Sequence, residues 1–107
     1  MKTVKLSDYS KFPKAKEDGE LFARTKIFHE LYKTEYTLRI DFDYTYGIAH
    51  SFLEGFFGFL IDSGCLTTKE LFNRLTIKAD EYPHMIEEIA DILVKYDERN
   101  SDNSTCS

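Results

Sequence analysis

The chain has 107 residues, a formal net charge of −5 and a hydrophobic fraction of 42%, enough for one domain around one core. Its fourteen basic residues are interspersed among nineteen acidic ones, which argues against nucleic acid and anionic membrane surfaces, since both need clustered positive charge. Cys65 and Cys106 show neither CxxC nor metal-ligand spacing, no apolar run reaches the roughly 18 to 20 residues of a membrane span, and MKTVKLSDY lacks a hydrophobic leader. The expectation is a cytoplasmic protein with one domain over residues 1–97 and a disordered polar tail over 98–107.

In chain order, TVKLSDY alternates Val4 and Leu6, the pattern of a short strand at a sheet edge. SKFPKAKEDGE carries Pro13, Gly19 and several charges and reads as a loop. From Glu20 to Lys33 the period becomes helical, with Leu21, Phe22, Thr25, Phe28, Leu31 and Tyr32 on one face. YTLRIDFDY alternates again, Leu38, Ile40 and Phe42 against Arg39, Asp41 and Asp43, and is the clearest strand.

TYGIAH turns out of that strand, and a second helix runs from Ser51 to about Ile61, with Gly64 as its C′ residue. TTKELFNRL predicts one or two helical turns capped by Thr67 or Thr68, and LTIKA a third strand. DEYPHMIEEIADILVKY is the last helix, with Pro83 in its first turn and Met85, Ile86, Ile89, Leu93 and Tyr96 as its buried stripe. The order β-α-β-α-(short α)-β-α predicts a small α/β domain, a sheet of about three to four strands packed by three main helices.

The stretch GIAHSFLEGFFGFLIDSG, residues 47–64, holds most of the functional signal. Ser51 followed three residues later by Glu54, just before an apolar run, has the form of a capping box, with Ser51 as N-cap. A helix N-terminus also tolerates an added phosphate, and a phosphate on Ser51 would face Glu54, Asp41 and Asp43. Gly55 and Gly58 lie three apart on one stripe and each costs up to about 1 kcal/mol against Ala in a helix, so the expectation is a close approach to a sheet or another helix. Phe52, Leu53, Phe56, Phe57, Phe59, Leu60 and Ile61 surround that stripe almost completely, which predicts a central helix or one with apolar surface left for a partner.

LRIDFDYTYGIAHSFLEGFFGFLIDSG resembles the central motif of the bacterial STAS-like domain family of unknown function. In that motif a strand ending in D-F-[DE] leads through a short loop to S-F-x-[DE]-x-[FL]-G at a helix start. Asp41, Phe42, Asp43, Ser51, Phe52, Glu54, Phe57 and Gly58 carry the match, which covers roughly residues 19–64. The family is similar in outline to the STAS domains of anti-sigma factor antagonists. There, a serine at the start of the equivalent helix is phosphorylated by an ATPase-fold kinase that is also the partner. The resemblance implies a STAS-like fold, a phosphorylation site at Ser51 and a histidine-kinase-like ATPase as partner. Where the antagonists carry D-S-S-G, this chain reads Ala49-His50-Ser51-Phe52.

Other constellations carry less chemistry. His29, His50 and His84 lie on three different elements without ligand spacing, so no metal and no cofactor are expected. Ser51, His50 and Asp41 lack a G-x-S-x-G elbow, and Asp41 with Asp43 reads as a solvated or turn-capping pair at a strand end. Tyr44 and Tyr46 sit in the loop before the helix, where exposed tyrosines suit an interface.

These readings converge on a non-enzymatic protein-interaction module in a bacterial or phage setting. Its partner-binding residues would be Tyr44, Tyr46, His50, Ser51 and Glu54. A homodimer through the aromatic helix is a second partner expectation. The alternative function is a phage- or mobile-element-encoded inhibitor that sterically blocks a host defence or regulatory complex.

Overall fold

The computed structural model describes residues 2–33, 37–64 and 68–100. The chain runs β1 (Lys2–Lys5), α1 (Leu6–Tyr9), α2 (Lys16–Phe22), a π-helical segment (Ala23–Ile27), α3 (Phe28–Lys33), β2 (Leu38–Asp41), α4 (His50–Gly64), α5 (Thr68–Arg74), β3 (Leu75–Lys78) and α6 (Met85–Asn100). It is a mixed α/β domain, as its sequence predicts. The cap at Thr67 or Thr68, the side chain of Tyr32, both cysteines and the tail from Ser101 lie outside what is described.

β1, β2 and β3 form one parallel three-stranded sheet in that order, so β2 is central and β1 lies at an edge as expected. The register aligns Val4 with Ile40 and Ile40 with Ile77, and Leu38 with Leu75. Because side chains alternate across a pleated sheet, this row of apolar residues faces the helices. Thr3, Arg39 and Thr76 occupy the opposite, polar face. Phe42 follows Ile40 on the apolar face and is fully buried.

Several boundaries differ from the sequence expectation. Leu6 is not a strand residue: β1 ends at Lys5, and Leu6 opens a helical turn closed by the Ser10 amide on its carbonyl at 2.8 Å. The turn keeps Leu6 buried while carrying the chain off the sheet edge. α2 begins at Lys16, four residues before the predicted start, and takes Gly19 into its interior. α6 continues through Asn100, so residues 98–100 belong to the helix rather than to the tail.

The buried stripe of the first helical stretch is also displaced. Its buried residues are Gly19, Phe22, Ala23, Ile27 and Leu31, while Leu21 and Thr25 face solvent. Two observations account for this. The amide of Phe28 donates to the carbonyl of Ala23, five residues back, which inserts one residue into the turn and brings Ile27 onto the buried face with Leu31, whose burial the sequence predicts. The Thr25 hydroxyl donates to the carbonyl of Leu21 at 2.7 Å, a back-bond that bends a helix on its exposed side. On α6, Ile92 takes the place expected of Ile86, which is exposed. Met85, Ile89, Ile92 and Tyr96 keep the 4-3-4 spacing of a single face.

α4 is the central helix. Phe52, Leu53, Phe56, Phe57, Leu60 and Ile61 are all buried, and the helix runs through Gly64 rather than closing near Ile61. Phe56 is the aromatic hub, its ring centroid 5.5 Å from Phe22, 6.1 Å from Phe42 and 4.9 Å from Phe57. Most of the apolar surface of α4 is therefore covered by its own core, with Phe59 half-buried against it.

The glycine expectation has a specific cause. A Cβ at Gly19 would lie 2.1 Å from the Phe52 carbonyl oxygen, and a Cβ at Gly55 would lie 2.1 Å from the Lys16 carbonyl oxygen. α2 and α4 thus cross backbone to backbone, each offering a glycine to the other's carbonyl. Gly58 instead makes room for the Tyr96 hydroxyl. Overpacking a rigid contact costs about 1–3 kcal/mol or more. Gly19→Ala and Gly55→Ala should each therefore lower stability by about 3 kcal/mol in urea denaturation. Gly58→Ala, which meets a side-chain tip able to swing away, should cost less.

Candidate functional site

The carboxyl ends of the parallel strands, where open α/β sheets present their ligand crevices, carry a network of polar side chains. Asp41 and Asp43 are both buried, 5% and 2% exposed, so the pair is not solvated. Of the two expected roles it takes the turn-capping one. One Asp41 carboxylate oxygen accepts the Asp43 amide at 2.9 Å, folding the chain back at the end of β2. Asp43 accepts the Glu81 amide at 2.8 Å and the Lys78 ammonium at 2.7 Å. Lys78 also reaches Asp80 at 3.2 Å. One carboxylate thereby ties the exit of β2 to the exit of β3.

Burial by itself would raise the Asp43 pKa, but the Glu81 amide, the Lys78 ammonium and the Asp80 amide outweigh it and hold the carboxyl below the usual aspartate value. The same contacts, Asp43 first and Asp80 second, raise the pKa of Lys78.

Above this network the loop from Tyr44 to Ala49 is braced on two sides. The Tyr44 amide donates to the Glu81 carboxylate, and the Tyr82 hydroxyl donates to the Thr45 carbonyl at 2.9 Å. On the other side the Tyr46 amide donates to the Lys11 carbonyl at 2.9 Å and the Ala49 amide to the Pro13 carbonyl at 3.0 Å. Tyr44 adopts a φ of +67°, a left-handed conformation that costs a bulky side chain roughly 1–2 kcal/mol. It exposes its ring, as does Tyr46, with 66% and 72% of each residue accessible. Tyr46 stacks on Phe12, centroids 5.0 Å apart and planes 18° apart, and Phe12 is itself 63% exposed. Two tyrosine rings are thus held outward by a loop whose backbone is hydrogen-bonded from both flanks, with the exposed Phe12 stacked on one of them.

The start of α4 differs from the predicted capping box. The Ala49 carbonyl accepts the amides of Phe52 and Leu53 at 3.1 and 3.3 Å, so Ala49 occupies the N-cap position and Ser51 is the second residue inside the helix, exposed to solvent. The Ala49–Pro13 hydrogen bond fixes where the chain enters the helix, and that anchor sets the helix start. Glu54 does not close the cap but pairs with His50. The His50 ring sits between two carboxylates, Nε2 3.0 Å from Glu54 and Nδ1 2.9 Å from Glu88. A neutral imidazole donates to one of these, and an imidazolium donates to both.

Of the predicted contact residues, Tyr44, Tyr46, His50 and Ser51 are exposed and Glu54 is half-exposed. Asp41 accepts the Asp43 amide, and His50 pairs with Glu54 and Glu88. Among the described residues, no three His, Cys, Asp or Glu side chains are placed to hold a metal ion, and no helix is long and apolar enough to cross a membrane. A separate groove of about 270 Å³ beside α4 is lined by Lys16, Glu20, Glu54, Asp62 and Tyr96 among others.

Sequence reasoning missed Phe12, Glu81, Glu88 and Lys78. Phe12, a lone aromatic in a charged stretch, was legible as exposed, whereas the others join the site only through contacts 35 or more positions away in the chain. No protein-family model matches the chain, and no curated protein or solved structure matches it significantly.

Two outcomes follow. A carboxyl whose pKa is depressed by folding contributes stability that is complete above its unfolded value, about 4, and is lost as pH falls through the folded value. The stability difference between wild type and Asp43→Asn should therefore be constant from about pH 7 to 5 and shrink below about pH 4. Tyr44→Asn, which tolerates the left-handed conformation better, should leave the melting temperature unchanged or raise it.

Proposed function

We propose that this chain is a small cytoplasmic regulatory module without catalytic activity, which binds a protein partner through the Tyr44–His50 loop and the first turn of α4. The observation that carries this reading is the outward set of Phe12, Tyr44 and Tyr46, one of them held in a strained backbone conformation. Strain retained at an exposed side chain is a mark of functional loops, and tyrosine is favoured at interface hot spots.

The resemblance to STAS-like domains adds a histidine-kinase-like ATPase as the partner and Ser51 as the switch. In support, Ser51 is solvent-exposed in the first turn of α4 and close in sequence to the loop. A phosphate there would meet the positive end of the helix dipole and also the Glu54 and Glu88 carboxylates gathered at His50, so it would alter the charge of the same surface.

The reading is tested by affinity capture from the host with wild type, Tyr44→Ala/Tyr46→Ala, Ser51→Ala and Ser51→Asp, with Lys26→Ala as a remote surface control. One protein should be retained by wild type, Ser51→Ala and Lys26→Ala. The tyrosine double variant should weaken it at least about tenfold, the loss expected of a hot spot, and Ser51→Asp should release it. Equal retention by the tyrosine variant would remove the loop from the interface. Retention by Ser51→Asp would remove the switch and favour a steric inhibitor of a host complex.

A further inference from the structure

The aromatic loop does not stand in a neutral setting. The segments that border it, residues 10–15, 43–54 and 78–88, contain six carboxylates (Asp43, Glu54, Asp80, Glu81, Glu87 and Glu88) against three lysines. Of the lysines, Lys78 is already paired with Asp43 and Asp80, two of those six carboxylates. The other two, Lys11 and Lys14, flank Phe12. The charge is therefore divided across the aromatic patch: the Tyr44 backbone amide is bonded to the Glu81 carboxylate, with the Asp80 and Glu87 side chains more than four-fifths exposed on the same 80–88 segment, while the lysines lie at the Phe12 end.

We propose that the occupant of this face is a basic segment of the partner, one that lays an arginine or lysine against the Tyr44 ring and pairs it with the carboxylates of residues 80–88. The inference rests on the reading of the loop as a protein interface and specifies the chemistry of what binds there. A guanidinium or ammonium over a tyrosine face is attracted by the ring quadrupole, and adjacent carboxylates complete the recognition. An apolar segment would take the Asp80, Glu81 and Glu87 carboxylates out of water and offer them no charge in return, at a desolvation cost. An acidic segment or a nucleic acid would be repelled by the same groups.

The test titrates three synthetic twelve-residue peptides into ¹⁵N-labelled full-length protein at physiological salt. All three have leucine at alternate positions, and the remaining positions are arginine, glutamate or serine. The arginine peptide should shift the amides of residues 44–50 and 80–88 and bind more weakly as salt is raised. Its affinity should fall at least about tenfold in Tyr44→Ser/Tyr46→Ser and about threefold or more in Asp80→Asn/Glu87→Gln, two highly exposed carboxylates, in protein whose amide spectrum away from the loop matches wild type.

Binding of the glutamate or serine peptide to the loop as tightly as the arginine peptide would overturn the basic-partner inference while leaving the loop an interface. Arginine-peptide shifts scattered over the surface, or indifferent to Asp80→Asn/Glu87→Gln, would overturn it as well. Whether the loop binds a protein at all is read separately, from retention of the captured partner by the tyrosine variant.

Discussion

The crossing of α2 over α4 is the contact on which the rest of the molecule depends. Each helix presents a glycine to a carbonyl of the other, Gly19 to Phe52 and Gly55 to Lys16, and no side chain larger than hydrogen fits between them. Two helices this close exclude water from their seam. They also bring Phe22 within stacking distance of Phe52 and Phe56. Glycine is costly in an isolated helix, and here the cost is offset by the area that close contact buries on both sides.

Placing α4 at that depth decides what its aromatic residues do. A helix apolar around most of its circumference needs cover on most of its circumference. It receives that cover from α2, from the apolar row of the sheet and from α6, whose Tyr96 reaches the space left by Gly58. The phenylalanines are consequently core residues. Tyr44 and Tyr46 in the loop feeding into α4, and Phe12 stacked on Tyr46, stay exposed because the backbone around the tyrosines is hydrogen-bonded in place.

The electrostatic node at the strand ends ties the loop into the fold. Asp43 is out of solvent and bonded to an amide and to an ammonium on the β3 side, so it links the loop after β2 to the loop after β3. The Glu81 carboxylate on the Tyr44 amide and the His50 bridge to Glu88 extend the same coupling to the first turn of α6. A buried carboxylate is a weak source of net stability, and its better attested use is to specify one arrangement over others. Here the arrangement specified is the loop that carries the exposed tyrosines.

Local pattern in the sequence was enough for the α/β class, the alternation of Leu38, Ile40 and Phe42, the third strand at Leu75–Lys78 and the helical nature of residues 51–61. Periodicity reports which side of an element is apolar, and that is a local property. The glycines at 55 and 58 announced a close approach without naming what approached. Tertiary structure alone decided that Gly19 belongs inside a helix, that a five-residue turn rotates the stripe from Leu21 to Ile27, and that Ile92 rather than Ile86 enters the core. It also moved the cap from Ser51 to Ala49 through a hydrogen bond to Pro13, thirty-six positions earlier. The site divides in the same way. Tyr44, Tyr46 and His50 were legible because their residue types and loop position suffice, whereas Phe12, Lys78, Glu81 and Glu88 join them only once three separate loops meet at the carboxyl edge of the sheet. Contacts between residues so far apart in the chain leave no periodic trace, because what selects them is the folded geometry rather than their neighbours in sequence.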